Sequence, residues 1–129
     1  MAGEPQEIPF RGRVLLIEDE HPLARLMDRY IRARGFQVET CGLAQEALSL
    51  LSRPVAYDAV VSDWSLPDMP GEELMQRIVS LCPGLPVVVC SGYALSSERL
   101  PPNAMFLQKP FPPQTLAAAL DSLIPASDS

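Results

Sequence analysis

The sequence lacks any long hydrophobic run. A helix that spans a bilayer needs roughly 20 consecutive, mostly apolar residues, and no segment of this chain approaches that length. The stretch from Met1 to Phe10 also lacks the basic start and the apolar stretch of a signal peptide. We therefore predict a cytoplasmic protein without membrane insertion.

Basic side chains are in the minority. The chain has 10 Lys and Arg residues against 16 Asp and Glu residues, and its net charge at pH 7 is -6. Sequence-independent binding to nucleic acid or to an anionic membrane surface depends on clustered positive charge. We therefore expect no direct nucleic-acid partner.

Cysteine is scarce as well, and its spacing carries no metal signature. Cys41, Cys82 and Cys90 are an odd number, and no two of them form a CxxC pair. This pattern predicts neither a disulfide framework nor a zinc site.

Hydrophobic residues, in contrast, are plentiful enough for a core. They make up 47% of the 129 residues, which suits one compact domain. The 14 prolines fall mainly between the apolar segments and mark loops. We predict a flexible leader over 1–12, a single domain over 13–124 and a short tail over 125–129.

Short apolar runs alternate with amphipathic segments along the chain. The runs have the length of buried strands, and the segments between them repeat their apolar residues at helical spacing. We predict strands over 14–17, 36–40, 58–62, 87–90 and 105–107, and helices over 23–31, 44–51, 74–81 and 116–124. This alternation favours an α/β fold in which one parallel sheet carries helices on both faces.

The interval between the fourth and fifth strands breaks the alternation. A helix is expected there, but Pro101 and Pro102 leave only about 95–100 free to coil. We predict a short or irregular fourth helix in this interval.

Polar side chains follow four of the predicted strands. Glu18 and Asp19 end the first strand, Asp63 the third and Ser91 the fourth, and Lys109 follows the fifth. Ligands of open parallel sheets bind outside the carboxyl ends of the strands. We therefore expect these side chains to share one site.

Three neighbouring carboxylates repel one another and raise each other's pKa unless a cation lies between them. A hard divalent ion with oxygen ligands meets this requirement, and Mg²⁺ suits a site with few carboxylates and room for phosphate oxygens. The sequence therefore predicts a Mg²⁺ site at Glu18, Asp19 and Asp63, with Lys109 and Ser91 available to an anion.

These segments resemble the receiver domains of response regulators in two-component signalling, over about 13–124. The matching motifs are LLIEDE at 15–20, VSDWSLPDMPG at 61–71, SGY at 91–93 and KPF at 109–111. The resemblance implies a CheY-like, flavodoxin-like fold, with a single doubly wound, five-stranded parallel sheet in the order 2-1-3-4-5.

The resemblance also assigns roles to individual residues. It implies that Asp63 is the nucleophile that takes the phosphoryl group and forms an aspartyl phosphate. It implies that Asp19, Glu18 mainly through water, Asp63 and the backbone carbonyl of Ser65 hold Mg²⁺. Lys109 would provide a second positive contact with the phosphoryl group.

A switch is implied by the same resemblance. Ser91 would hydrogen-bond the phosphoryl group, helped by the Gly92 backbone amide and with Ser65 close by, and would vacate space for the aromatic side chain of Phe106. The family often has Tyr at this last position. Phe106 lacks the hydroxyl that could report its rotamer to a partner, which leaves steric coupling as its means of signalling.

We expect the chain to catalyse only its own phosphorylation and dephosphorylation and otherwise not to be an enzyme. The implied partners are a histidine kinase or a histidine phosphotransfer protein, together with a downstream protein that the sequence does not identify. The chain would be a free-standing regulator or the terminal receiver of a hybrid histidine kinase, as a monomer or weak dimer.

Two alternatives are weighed against this interpretation. A receiver-like platform that is never phosphorylated would lack an essential residue, whereas Asp19, Asp63 and Lys109 are all present. A flavodoxin-like module for a small ligand would carry a Gly-rich phosphate loop after the first strand, where this chain has Glu18 and Asp19.

Overall fold

The computed structural model describes residues 10–125, so 1–9 of the predicted leader and 126–129 of the predicted tail lie outside the described residues. Five strands alternate with four α-helices. In chain order they are β1 (Gly12–Ile17), α1 (His21–Ala33), β2 (Phe36–Cys41), α2 (Ala44–Leu51), β3 (Ala59–Asp63), α3 (Gly71–Leu81), β4 (Val87–Ser91), β5 (Ala104–Gln108) and α4 (Pro113–Leu123).

The strands form one parallel sheet in the order β2-β1-β3-β4-β5. This confirms the predicted fold class and strand order. Each predicted strand is present, with ends that differ from the prediction by no more than two residues. Gly35 lies just past α1 and adopts a φ of 99°, a left-handed conformation that ends a helix at little steric cost.

The core lies on both faces of the sheet, because alternate side chains of each strand point to opposite sides. On one face, Leu15 and Ile17 pack with residues of α2 and α3. On the other face, Val14 and Leu16 pack with residues of α1 and α4. All four side chains are fully buried, and each contributes about 1.5–3 kcal/mol through burial.

The connection between β4 and β5 contains no α-helix. Its only helical turn is a 3-10 helix over Ser97–Arg99, which ends two residues before Pro101. The prediction of a short or irregular fourth helix is therefore confirmed. The cause is the one anticipated, since consecutive prolines lack the amide hydrogens that a continuing helix needs.

Side-chain contacts join the first residues that the structure describes to α4. Gly12 is the first residue of β1, and Arg11 is held by side-chain contacts. Arg11 Nη1 donates to Asp121 Oδ1 at 2.6 Å, and its Nη2 donates to the Ile124 carbonyl at 3.0 Å. Arg34 Nη2 donates to the other oxygen of Asp121 at 2.6 Å. These contacts connect the start of the domain to the end of α4.

No helix within residues 10–125 combines the length and the apolar character that crossing a bilayer demands.

The Asp121 contacts predict a pH-dependent contribution to stability. Partial burial raises the pKa of Asp121, but the hydrogen bonds and charges of Arg11 and Arg34 outweigh it and hold the pKa below its usual 3.8. Asp121→Asn should therefore lower the free energy of unfolding by about 0.5–1 kcal/mol at pH 7, a range that allows for solvent screening. The difference should shrink as the pH falls from 3.8 through the lower pKa of the folded chain, because the unfolded chain binds the proton first.

Urea denaturation at pH 7 and pH 3 measures both effects. Glu73→Gln is the matched control, because it breaks an exposed ion pair with Arg77 inside α3 and should cost no more than about 0.5 kcal/mol. Equal stability of Asp121→Asn and wild type at pH 7 would contradict a stabilising role of the Arg11 and Arg34 contacts.

Candidate functional site

The carboxyl ends of four strands bring the predicted site residues to one edge of the sheet. Glu18 directly follows β1, Asp63 ends β3, Ser91 ends β4 and Lys109 directly follows β5. Their convergence results from the parallel order β1-β3-β4-β5, in which every strand runs in the same direction. A cis peptide bond joins Lys109 to Pro110.

Lys109 lies between two of the carboxylates. Its Nζ is 2.9 Å from Glu18 Oε1 and 3.5 Å from Asp63 Oδ2. The Glu18 side chain is only 2% exposed and that of Asp63 is 11% exposed, whereas the Lys109 side chain is 21% exposed. The ammonium group therefore partly neutralises two nearly buried acids.

Burial and charge act against each other at Glu18 and Lys109. Burial raises the pKa of Glu18, the hydrogen bond from Lys109 lowers it, and the charge of Asp63 raises it again, so that the pKa stays above its usual 4.5. Burial lowers the pKa of Lys109, but the hydrogen bond and charge of Glu18 and the charge of Asp63 raise it above its usual 10.5. Lys109 therefore keeps its positive charge at neutral pH.

The residues present fit a hard divalent cation. One carboxylate oxygen from each of Glu18, Asp19 and Asp63 lies within 4.8 Å of the other two. Asp19 is exposed, and within the described part of the chain its carboxylate accepts no hydrogen bond. By contrast, Glu18 Oε2 accepts from the Glu20 backbone amide and Asp63 Oδ1 from the Ser65 amide, both at 3.2 Å. Asp19 is therefore the acid most available to a cation.

Two of the predicted phosphate-binding residues, Ser91 and Gly92, lie at the end of β4 and just after it. Ser91 is fully buried, and its Oγ accepts a hydrogen bond from the Tyr93 backbone amide at 3.2 Å. Within residues 10–125, Ser91 Oγ has no hydrogen bond with Asp63 or Lys109. Gly92 is exposed, and a side chain added there would meet open space. A ligand can thus approach its backbone closely.

The predicted switch residue, Phe106, lies in the edge strand and is half-buried. It pairs with Val89, and it therefore shares a sheet face with Ser91, two residues further along β4. The 3-10 helix over Ser97–Arg99 stands in for a full α-helix in the β4–β5 connection. The position of Phe106 is compatible with the predicted steric coupling, which stays a prediction.

The sequence model of the response regulator receiver domain matches residues 14–121 of this chain. The chain belongs to this family. Receiver domains bind Mg²⁺ at an acidic pocket of this kind, and in two-component systems they interact with histidine kinases and phosphotransfer proteins.

Two curated relatives illustrate the range of proteins that carry such a domain. The two-component response regulator ARR11 of Arabidopsis thaliana is 40% identical over 84 residues, which are 64% of this chain and 16% of the relative. The sensor histidine kinase RcsC of Salmonella typhimurium is 38% identical over 87 residues, which are 67% of this chain and 9% of the relative. The chain thus spans a small part of the length of these relatives.

Solved receiver structures share the fold. A response regulator receiver protein from Sinorhizobium medicae has a TM-score of 0.81 and 27% identity, with 87% of this chain and 93% of that one covered. The receiver domain of the hybrid histidine kinase CckA has a TM-score of 0.77 and 29% identity, with 88% and 99% covered.

One anchor of this receiver domain was not predicted from the sequence. Asp68, in the loop after β3, accepts hydrogen bonds from the backbone amides of Ala44 at 2.9 Å and Gln45 at 3.0 Å. The hydrogen bond from the Gln45 amide makes the largest contribution to lowering the pKa of Asp68 below its usual 3.8, and that from Ala44 lowers it further. Asp68 therefore caps the start of α2 from a distance and fixes the loop that follows Asp63.

Trp64 is also more constrained than its sequence position indicates. It is 4% exposed and packs in the core beside α3. A Cβ atom at Gly71 would lie 2.5 Å from Trp64 Cδ2 and 2.6 Å from the Trp64 carbonyl oxygen. Glycine at 71 is therefore required for the close approach of α3 to the residue after Asp63.

The raised pKa of Glu18 predicts that its charge destabilises the metal-free domain. The unfolded chain ionises Glu18 near pH 4.5 and the folded chain at higher pH, so stability falls as the pH rises through this window. Glu18→Gln should therefore raise the Tm in EDTA at pH 7, by about 3–6 °C for each kcal/mol gained. Thermal unfolding in EDTA and in excess Mg²⁺ measures the effect.

Glu20→Gln is the matched control, because it removes a neighbouring exposed charge and should leave the Tm nearly unchanged. In Mg²⁺ the advantage of Glu18→Gln should shrink or reverse. A lower Tm of Glu18→Gln than of wild type in EDTA would show that its ion pair with Lys109 outweighs burial.

Proposed function

We propose that this chain is a phosphoacceptor that takes a phosphoryl group onto Asp63 in a Mg²⁺-dependent reaction. The donor is the phosphohistidine of a histidine kinase or phosphotransfer protein, or a small acyl phosphate. The observation that carries the proposal is the position of Asp63, with Lys109 Nζ at 3.5 Å from one oxygen and two further acids within 4.8 Å.

The reaction needs a nucleophile and a place for the incoming charge. A carboxylate oxygen of Asp63 attacks the phosphorus, the bond from phosphorus to the histidine nitrogen breaks, and its electron pair stays on the imidazole, which is then protonated. A carboxylate nucleophile has no proton to lose, so this step requires no general base. Positioning and electrostatics dominate such transfers, and Lys109 supplies positive charge next to Asp63.

The other two acids are poorer candidates for the nucleophile. Glu18 is nearly buried, and both of its oxygens are engaged, by Lys109 and by the Glu20 amide. Asp19 is exposed and, within the described residues, has no ion pair with Lys109. These two residues suit a cation, together with Asp63 and the Ser65 carbonyl. Bound Mg²⁺ would offset the repulsion between carboxylate and phosphate.

Phosphorylation adds a charge of about -1.5 to -2 and new acceptor oxygens. Ser91, which ends the adjacent strand β4, and the Gly92 amide that follows it are candidates to donate to these oxygens, and the Ser65 amide already contacts Asp63. In this switch Ser91 turns its hydroxyl toward the phosphoryl group and gives up the hydrogen bond that its Oγ accepts from the Tyr93 amide. The movement would open space for Phe106 on the same sheet face.

In this proposal the chain catalyses only its own phosphorylation and dephosphorylation. A downstream protein would respond to the phosphorylated form. The chain would act as a free-standing regulator or as the terminal receiver of a hybrid histidine kinase, as a monomer or weak dimer. Its cytoplasmic location stays a prediction of the sequence.

Phosphorylation can be tested with intact-protein mass spectrometry after incubation with acetyl phosphate and Mg²⁺. The wild type should gain one phosphoryl group, and Asp63→Asn should gain none, because the amide is not a comparable nucleophile. EDTA should abolish the gain in the wild type.

Asp68→Asn is the matched control, since Asp68 is a carboxylate in the same loop that caps α2 rather than facing Lys109. It should still be phosphorylated. A wild type that gains no phosphoryl group, or an Asp63→Asn variant that gains one to the same extent, would refute the assignment.

A further inference from the structure

The connection between β4 and β5 has little internal structure. Within 92–103 only Ser97–Arg99 is helical, and none of the side chains is fully buried. Segments with few buried contacts open easily unless particular side chains hold them. Ser91 ends β4 and Gly92 begins this connection. A movement of the connection would therefore bear directly on the proposed switch.

Arg99 attaches the later part of the connection to the residue that follows Asp63 and to the start of α3. Its Nε and Nη2 donate to Glu72 Oε1 at 2.9 and 2.5 Å. Its guanidinium carbon lies 5.1 Å from the centre of the Trp64 ring. A planar guanidinium can stack on an indole and bind a carboxylate at once. Arg99 therefore contacts the residue next to Asp63 and the start of α3 together.

Trp64 has little freedom to move independently of Arg99. On one side it meets the backbone of Gly71 so closely that no Cβ atom would fit. Arg99 stands over its ring. The indole is thus held between α3 and the β4–β5 connection, and a displacement of either Arg99 or the loop after Asp63 disturbs this contact.

A cavity of about 580 Å³ borders the same contact. Its lining includes Trp64, Ser65, Glu72, Tyr93 and Arg99. Ser65 lies two residues after Asp63, and Tyr93 donates its amide to Ser91 Oγ. Arg99 therefore lines the same cavity as Ser65 and Tyr93. These two residues belong to the two segments that flank the proposed phosphoryl site.

We propose that Arg99 is a positioning residue that latches the β4–β5 connection to Trp64 and Glu72, and that the latch opens when Ser91 turns toward a phosphoryl group on Asp63. The proposal rests on the proposed function. When Ser91 turns toward Asp63, the 91–93 turn loses the hydrogen bond from the Tyr93 amide to Ser91 Oγ and is freer to move, and the anchor at Arg99 opposes displacement of the connection that follows it. The latch thus favours the arrangement in which Ser91 is bonded to Tyr93.

Linkage gives the direction of the effect. The latch contacts stabilise the closed arrangement, whereas a phosphoryl group requires the open one. The contacts therefore lower the apparent affinity for any ligand that binds only the open arrangement. Removing the latch should therefore tighten binding of a phosphoryl analogue. Ion-pair and stacking contacts at half-exposed sites correspond to a change of roughly 3–10-fold.

The experiment measures the Kd of beryllofluoride, in constant Mg²⁺, by the fluorescence of Trp64, which is the only Trp in the chain. Arg99→Ala should bind about 3–10-fold more tightly than the wild type. Glu72→Gln should shift the Kd in the same direction by less. Arg77→Ala is the matched control, because Arg77 makes an ion pair of the same kind with Glu73 on α3, and its Kd should equal that of the wild type.

Acrylamide quenching adds a readout that a purely structural role would not change. Beryllofluoride should raise the quenching of Trp64 in the wild type toward the level of Arg99→Ala, which should be high with and without the probe. A wild type that fails to bind beryllofluoride overturns the phosphoacceptor function and the latch together. Binding by the wild type with equal or weaker binding by Arg99→Ala overturns the latch alone.

Discussion

The repulsion between three acids at one end of the sheet is the constraint on which the site depends. Carboxylate oxygens of Glu18, Asp19 and Asp63 lie within 4.8 Å of one another, and at an effective dielectric constant of about 20 such a separation costs roughly 3–4 kcal/mol for each charged pair. Lys109 offsets one charge and keeps its own proton because the acids surround it. The remaining negative charge suits the cluster to a divalent cation.

The parallel sheet explains why these groups meet and why their surroundings can respond. Each side chain sits at or just after the end of a strand, so its position is fixed by a buried β-ladder. The segments that follow the strands are held by a few side-chain contacts, such as those of Asp68 with the start of α2 and of Arg99 with Trp64. In the proposed function, the reacting groups therefore stand at the ends of buried strands, and the response involves loops that a few side-chain contacts hold.

Much of this could be predicted from the sequence, because apolar runs and helical stripes are local patterns and the acids stand beside them. Each polar residue stands next to the end of its strand in the sequence, which is why the position of Asp63 and Lys109 at one sheet edge could be predicted. The anchors were not, because each joins residues far apart: Asp68 caps a helix 24 residues earlier, and Arg11 meets Asp121 110 residues later. No local pattern marks such pairs before the fold brings them together.

Calorimetric titration with Mg²⁺ tests the central claim most directly. The wild type should bind one Mg²⁺, and Asp19→Asn should weaken binding by about tenfold or more, because it removes the most available acid. Lys109→Met should strengthen binding, since the ammonium no longer occupies the space between Glu18 and Asp63. Absence of Mg²⁺ binding by the wild type, or equal affinity in Asp19→Asn, would contradict the account.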